Sequence, residues 1–189
     1  VRALASVANP SDRDAVAAAC SALYRRWLDE GARALQGAIG PMANAHTYAP
    51  GARAVGTPGA ITVFVDGLRL DVARRLEERL AGAGFDVAAT TSLAALPTVT
   101  ETAKAAIIPA AEGVLGPGPD LYPANAVTGT RASIQVLRSL MADHGVRVLG
   151  ATEVGDPGEP AWTEAGEIDH RGHDLGVRLV EYLDDEVAR

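Results

Sequence analysis

A three-layer α/β fold with a largely parallel sheet, preceded by an N-terminal helix, is what this sequence predicts. Three observations carry that reading. Ile61-Thr62-Val63-Phe64-Val65 is a short, nearly continuous apolar run rich in β-branched residues, the texture of a strand covered on both faces. Val72, Leu76 and Leu80 follow at helical spacing, and Phe85 to Thr91 then reads as a second strand. A strand–helix–strand order of this kind joins parallel neighbours through a right-handed crossover.

The elements follow in order. Ser11 and Asp14 resemble a capping box, and the helix they open is expected to run to about Ala38, with Val16, Cys20, Leu23, Trp27 and Ala34 forming one apolar stripe. Gly40, Pro41, Pro50, Gly51, Gly56, Pro58 and Gly59 then break the pattern. Residues 1–59 therefore read as a helix plus connector, and residues 60–189 as the α/β domain. Inside that domain Asp66-Gly67 ends the first strand, and Gly82 and Gly84 close the next helix. Leu96 to Thr100 is a loop, and Glu101 to about Ile108 a short helix stopped near Pro109. Gly113 to Pro123 is an irregular excursion. Arg131 to Asp143 is a helix with Ile134, Leu137, Leu140 and Met141 inward and Gly145 as its C-cap. Val146 to Leu149 is expected as a further core strand, Gly155 to Glu159 as a loop, and Leu175, Leu179, Leu183 and Val187 stripe the final helix.

Length and composition bound the function. One hundred and eighty-nine residues suffice for one domain with a sizeable core and an appendage. The net charge of −7 disfavours non-specific binding of nucleic acid, which draws its energy from neutralised phosphates. No apolar run approaches the roughly 20 residues of a membrane span, so no membrane partner is expected. The single cysteine, Cys20, allows no internal disulfide and suits a reducing cytoplasm. A start without Met and a stop inside a helical pattern read as a fragment.

Ligands of an open parallel sheet lie beyond the carboxyl ends of its strands. Asp66 stands at such an end, where it is either a metal-binding carboxylate or a helix cap. Thr98 and Thr100 stand in the next loop, and Thr100 precedes the helix that carries Lys104. A hydroxyl at a helix N-terminus is either an N-cap or a nucleophile placed where phosphate oxygens can dock on free amides. Glu167-Ile168-Asp169-His170-Arg171-Gly172-His173-Asp174 holds the sharpest pattern. Asp169 and His173 are one helical turn apart and can face one ion such as zinc or manganese, whereas His170 points to another face. The alternative is a polar lead into a helix. Asp143-His144-Gly145 reads as a helix end rather than a metal pair, and His46 falls in the connector.

Together, Val63-Phe64-Val65-Asp66-Gly67-Leu68-Arg69, Leu96-Pro97-Thr98-Val99-Thr100 and Glu167 to Asp174 resemble the alkaline phosphatase superfamily, and more narrowly the PglZ family associated with phage-growth limitation and BREX phage resistance. The resemblance spans roughly Gly51 to Arg189 and covers the first part of the domain. It implies two divalent metal ions, normally zinc, with manganese or magnesium as alternatives. Asp66 and Thr100 would bind one ion, Asp169 and His173 the other. Thr100, or alternatively Thr98, would attack the phosphorus of a phosphoester substrate through a phospho-threonine intermediate. The implied partners are other phage-defence proteins, with nucleic acid only through the intact protein. A further Asp-His pair and a later His belong to the superfamily pattern and do not follow Asp169 here. The fragment alone is therefore expected to be inactive or nearly so. The rival expectation is a non-catalytic scaffold of a phage-resistance complex with a vestigial site.

Overall fold

Strands and helices both form along the chain in the computed structural model, which describes residues 7–44, 56–92, 94–116, 120, 122–175 and 179–188. The fold is mixed α/β with a small parallel sheet. The chain forms two compact units, one of Val1–Ala45 with Ile168–Arg189 and one of His46–Glu167.

In the first unit, α1 spans Pro10–Asn44. Its cap lies two residues earlier than the expected Ser11. The Asn9 side chain accepts the Ser11 N–H at 2.9 Å, and Pro10 takes the first helical position, where a missing N–H costs nothing. The helix also runs on past Gly40 and Pro41, where the sequence reading ended it. Pro41 removes one rung of the ladder without stopping propagation. The rest of the connector, with His46, Pro50 and Gly51, lies outside the described residues as far as residue 55.

The expected apolar stripe of α1 exists, but its side chains are open: Trp27 is 62% exposed, and Leu23 and Val16 are exposed too. Tyr24 and Trp27 lean on each other at 4.9 Å between ring centroids. Arg26–Glu30 and Asp29–Arg33 pair one turn apart along the same helix. The final helical stripe resolves into two elements, α5 (Ile168–Leu175) and α6 (Leu179–Ala188). Ile168 and Leu183 are buried, and the Arg171 guanidinium lies over the Tyr182 ring.

The second unit is built on three parallel strands in the order β1 (Ile61–Val65), β5 (Ala161–Ala165), β4 (Arg147–Val148). β1 keeps its expected bounds. The central strand, β5, is one that sequence reading missed, because Ala161-Trp162-Thr163-Glu164-Ala165 is short and has one large apolar residue but no β-branched run. It pairs with β1 from Ile61↔Ala161 to Val65↔Ala165 and with β4 at Arg147↔Ala161 and Val148↔Trp162. The strand expected at Phe85 to Thr91 does not form, and those residues run without ladder bonds. Phe85 is fixed as the residue after a helix terminus instead. Its N–H bonds to the Leu80 carbonyl and that of Gly84, at φ +89°, to Ala81, which closes α2 (Leu70–Gly82) in a Schellman turn.

β1 is also less covered than expected. Ile61 and Val63 are each 52% exposed on one face, while Phe64 on the other stacks on Trp162 at 5.8 Å. The core sits on that Phe64–Trp162 side. α3 (Thr100–Ile107) and α4 (Ile134–Asp143) deliver Ala105, Leu137, Leu140 and Met141 to it, along with Ile108 just past the end of α3. Of the four inward positions expected in α4, Leu137, Leu140 and Met141 are buried and Ile134 is not. Ser133 caps this helix by accepting the Val136 N–H at 3.4 Å. Its end is the expected Gly145 turn, with Val146 N–H on Met141 and Gly145 N–H on Ala142. Between the two helices, β2 (Val114–Leu115), within the expected excursion, pairs antiparallel with β3 (Ala124–Asn125), just past its end. The described residues contain no helix long and apolar enough to cross a membrane.

Candidate functional site

Asp66 follows the last residue of β1 directly, at the carboxyl end of the parallel sheet. Gly67 at φ +72° turns the chain there, a conformation that a side chain would oppose. α2 begins four residues after Asp66, and its cap position, Arg69, receives no side-chain cap bond. Asp66 therefore does not cap the following helix.

Thr100 is the first residue of α3, whose cap position is Val99. It is not a cap either. Its hydroxyl donates instead to Asp66 Oδ1 at 3.3 Å, a half-buried bond across 34 residues of chain. Thr98 is exposed and makes no such bond. Of the two threonines, only Thr100 meets the carboxylate.

A support below this pair was not visible in the sequence. Lys104, one turn after Thr100, donates to Glu164 Oε2 at 2.8 Å and lies 4.9 Å above the Phe64 ring. Glu164 on β5 is the register partner of Phe64 on β1, so one lysine ties the start of α3 to both strands. The Lys104 side chain is only 14% exposed and that of Glu164 35%, which raises the worth of the pair above that of an open surface bridge. The sequence placed Lys104 on the helix that follows Thr100. Its partner 60 residues away on an unrecognised strand left no signal.

Asp169 and His173 lie in the other unit, both on α5. His173 Nε2 stands 3.7 Å from Asp169 Oδ2, with the side chains 82% and 47% exposed. His170 pairs with Asp174 on the same helix, also at 3.7 Å, so it does fall away from the Asp169–His173 line as expected. Gly172 faces the Leu179 side chain, which a Cβ would meet at 3.5 Å, ordinary contact within the α5–α6 packing. His144 also behaves as expected of a helix end. It is the C-cap residue of α4, its Nδ1 donates to the Leu140 carbonyl at 2.8 Å, and Nε2 faces Glu112 at 3.2 Å.

The donors suit a divalent ion in kind and fall short in number. Carboxylate with hydroxyl and carboxylate with imidazole are ordinary ligand types. Each pair supplies two of them, and the described residues contain no group of three or more His, Cys, Asp or Glu that could hold an ion. A closed zinc site wants about four. The Asp66–Thr100 pair is held by a direct hydrogen bond with no ion between its members. A carboxylate that accepts a hydroxyl proton's hydrogen bond orients that oxygen and can take its proton. The chain matches no family model, no curated protein and no solved structure.

Proposed function

We propose that this chain is part of a metal-dependent phosphoester hydrolase of the PglZ type, within the alkaline phosphatase superfamily, serving bacterial phage defence in the cytoplasm. The observation that carries the reading is the Thr100–Asp66 hydrogen bond at the carboxyl end of the sheet. Thr100 Oγ attacks the phosphorus, Asp66 receives the threonine proton, and the ester oxygen leaves as its bond to phosphorus breaks, taking a proton from water. Water then cleaves the phospho-threonine. Asp66 and Thr100 would contribute to one divalent ion, and Asp169 and His173 to a second. The remaining donors have to come from elsewhere than these pairs. Such ions supply Lewis acidity and offset charge. Other phage-defence proteins are the expected partners.

A second reading has its own support. Two donors per pair is what a vestigial site would also retain, so a scaffold of a defence complex is the alternative. An aryl-phosphate or phosphodiester assay on the intact protein, run with metal analysis, separates them. Thr100→Ala should lower hydrolysis on the order of 10³-fold or more without unfolding the chain, because it removes one half-buried hydroxyl. Thr98→Ala should change little. Asp169→Ala and His173→Ala should lower bound metal as well as rate. Full activity in Thr100→Ala sinks the covalent mechanism, and an intact protein with neither metal nor turnover favours the scaffold.

A further inference from the structure

Arg131 of the second unit is held on an aromatic ring. Arg69 and Arg74 are each locked on a carboxylate, at 2.8 Å. Arg131 instead has its guanidinium carbon 3.1 Å from the centroid of the Tyr122 ring, and it has no carboxylate partner among the described residues. At that distance the guanidinium lies over the ring face. Its N–H donors lie in the guanidinium plane, and the ring contact satisfies none of them. The stack sets the orientation of the fork and leaves its hydrogen bonds unspent.

That fork opens on a depression of about 450 Å³ lined by Thr100, Glu101, Lys104, Tyr122, Arg131 and Gln135 among others. Its volume falls within the range of roughly 300–1,000 Å³ typical of small-molecule sites. A single phosphate does not fill such a space. Lys104 closes one wall with its charge answered by Glu164. Arg131 is thus the cation of this wall that is not neutralised, and exposed Glu101 is the group opposing it. A second depression is an open strip on α1 lined by Ala22, Arg25, Arg26, Asp29, Glu30 and Arg33, in which Arg26 pairs with Glu30 and Arg33 with Asp29.

We propose that the depression beside Thr100 is a subsite for a second anionic group on the substrate, with Arg131 as the residue that binds it. The preferred substrate is then a phosphoester carrying a further phosphate or carboxylate, not a neutral alkyl phosphate. This rests on Thr100 as the nucleophile, since the depression is a substrate subsite only when chemistry occurs at its Thr100 end.

Binding of pyrophosphate and of inorganic phosphate to the 189-residue chain, followed by NMR titration in the presence of a chelator, tests the proposal without turnover. Pyrophosphate should bind more tightly than phosphate and shift the amides of Arg131 to Gln135. Arg131→Gln should weaken pyrophosphate about tenfold, the loss of a charge-assisted pair, and Arg131→Lys should recover part of it. Tyr122→Leu should weaken it about threefold by releasing the stack. Glu101→Gln should tighten it. An Arg131→Gln chain that melts normally and binds pyrophosphate as well as the parent overturns the proposal, as does a Glu101→Gln chain that binds it more weakly. Hydrolysis that survives Thr100→Ala while Arg131→Gln still loses pyrophosphate removes the nucleophile and leaves the anion site standing.

Discussion

The Asp66–Thr100 pair and the Asp169–His173 pair have comparable chemistry and opposite construction. The first joins residues 34 apart across a strand end and a helix start, is half-buried, and rests on the Lys104–Glu164 bridge and the Phe64–Trp162 stack. The second joins residues one turn apart on a single helix and is largely exposed. The first pair exists only because the sheet assembles. The second exists wherever α5 is helical. A geometry that depends on a core is as rigid as that core, whereas a solvated i,i+4 pair is held by little more than its own helix and loses most of its Coulomb energy to water.

The largest effect should come from removing the floor under the first pair. Trp162 is 1% exposed and stacks on Phe64, so Trp162→Ala should destabilise the second unit by about 3–5 kcal/mol in denaturant unfolding. The Asp66–Thr100 contact should loosen with it. Trp162→Phe should cost much less, because the ring remains and the indole N–H, buried without a hydrogen-bond partner, is removed. A Phe variant as damaged as the Ala variant would show that the stack is not what supports this site.

Next in size is the bridge. Glu164→Gln or Lys104→Met should each cost about 1–2 kcal/mol, less than a fully buried pair, since the two side chains keep 35% and 14% exposure. The double variant should cost less than the sum of the singles. Strict additivity would mean that Lys104 contributes packing on Phe64 and no ion pair.

Asp169→Ala and His173→Ala, by contrast, should change unfolding free energy by no more than about 0.5 kcal/mol. A loss above about 1 kcal/mol in either would contradict the solvated-pair reading.

Smallest of all should be an acid effect at the start of α2. The Arg69 side chain bonds Asp71 at 2.8 Å and holds its carboxyl below the ordinary range, with Arg75 adding a weaker pull. A lowered folded pKa stabilises the fold above the ordinary carboxylate value, and that increment disappears as pH falls through the lowered value. With both side chains about half exposed, it should amount to a few tenths of a kcal/mol. Asp71→Asn should flatten this part of a stability-against-pH curve measured below pH 5, and an unchanged curve would assign the acid response elsewhere.

Local pattern was enough for what depends on local pattern. The bounds of β1, the Gly145 terminus of α4 and the Asp169–His173 spacing all follow from side-chain types within a few residues, because strand texture, C-cap glycine and i,i+4 geometry are short-range physics. Tertiary structure alone decided the rest. It made the short segment Ala161–Ala165 the central strand, since a strand between two neighbours gains ladder bonds on both edges whatever its texture. It left Phe85 to Thr91 outside the sheet, since β propensity without a paired edge forms no ladder. It set Thr100 rather than Thr98 against Asp66, because the start of α3 and the end of β1 meet at one hydroxyl, and no spacing rule measures a distance across 34 residues of chain.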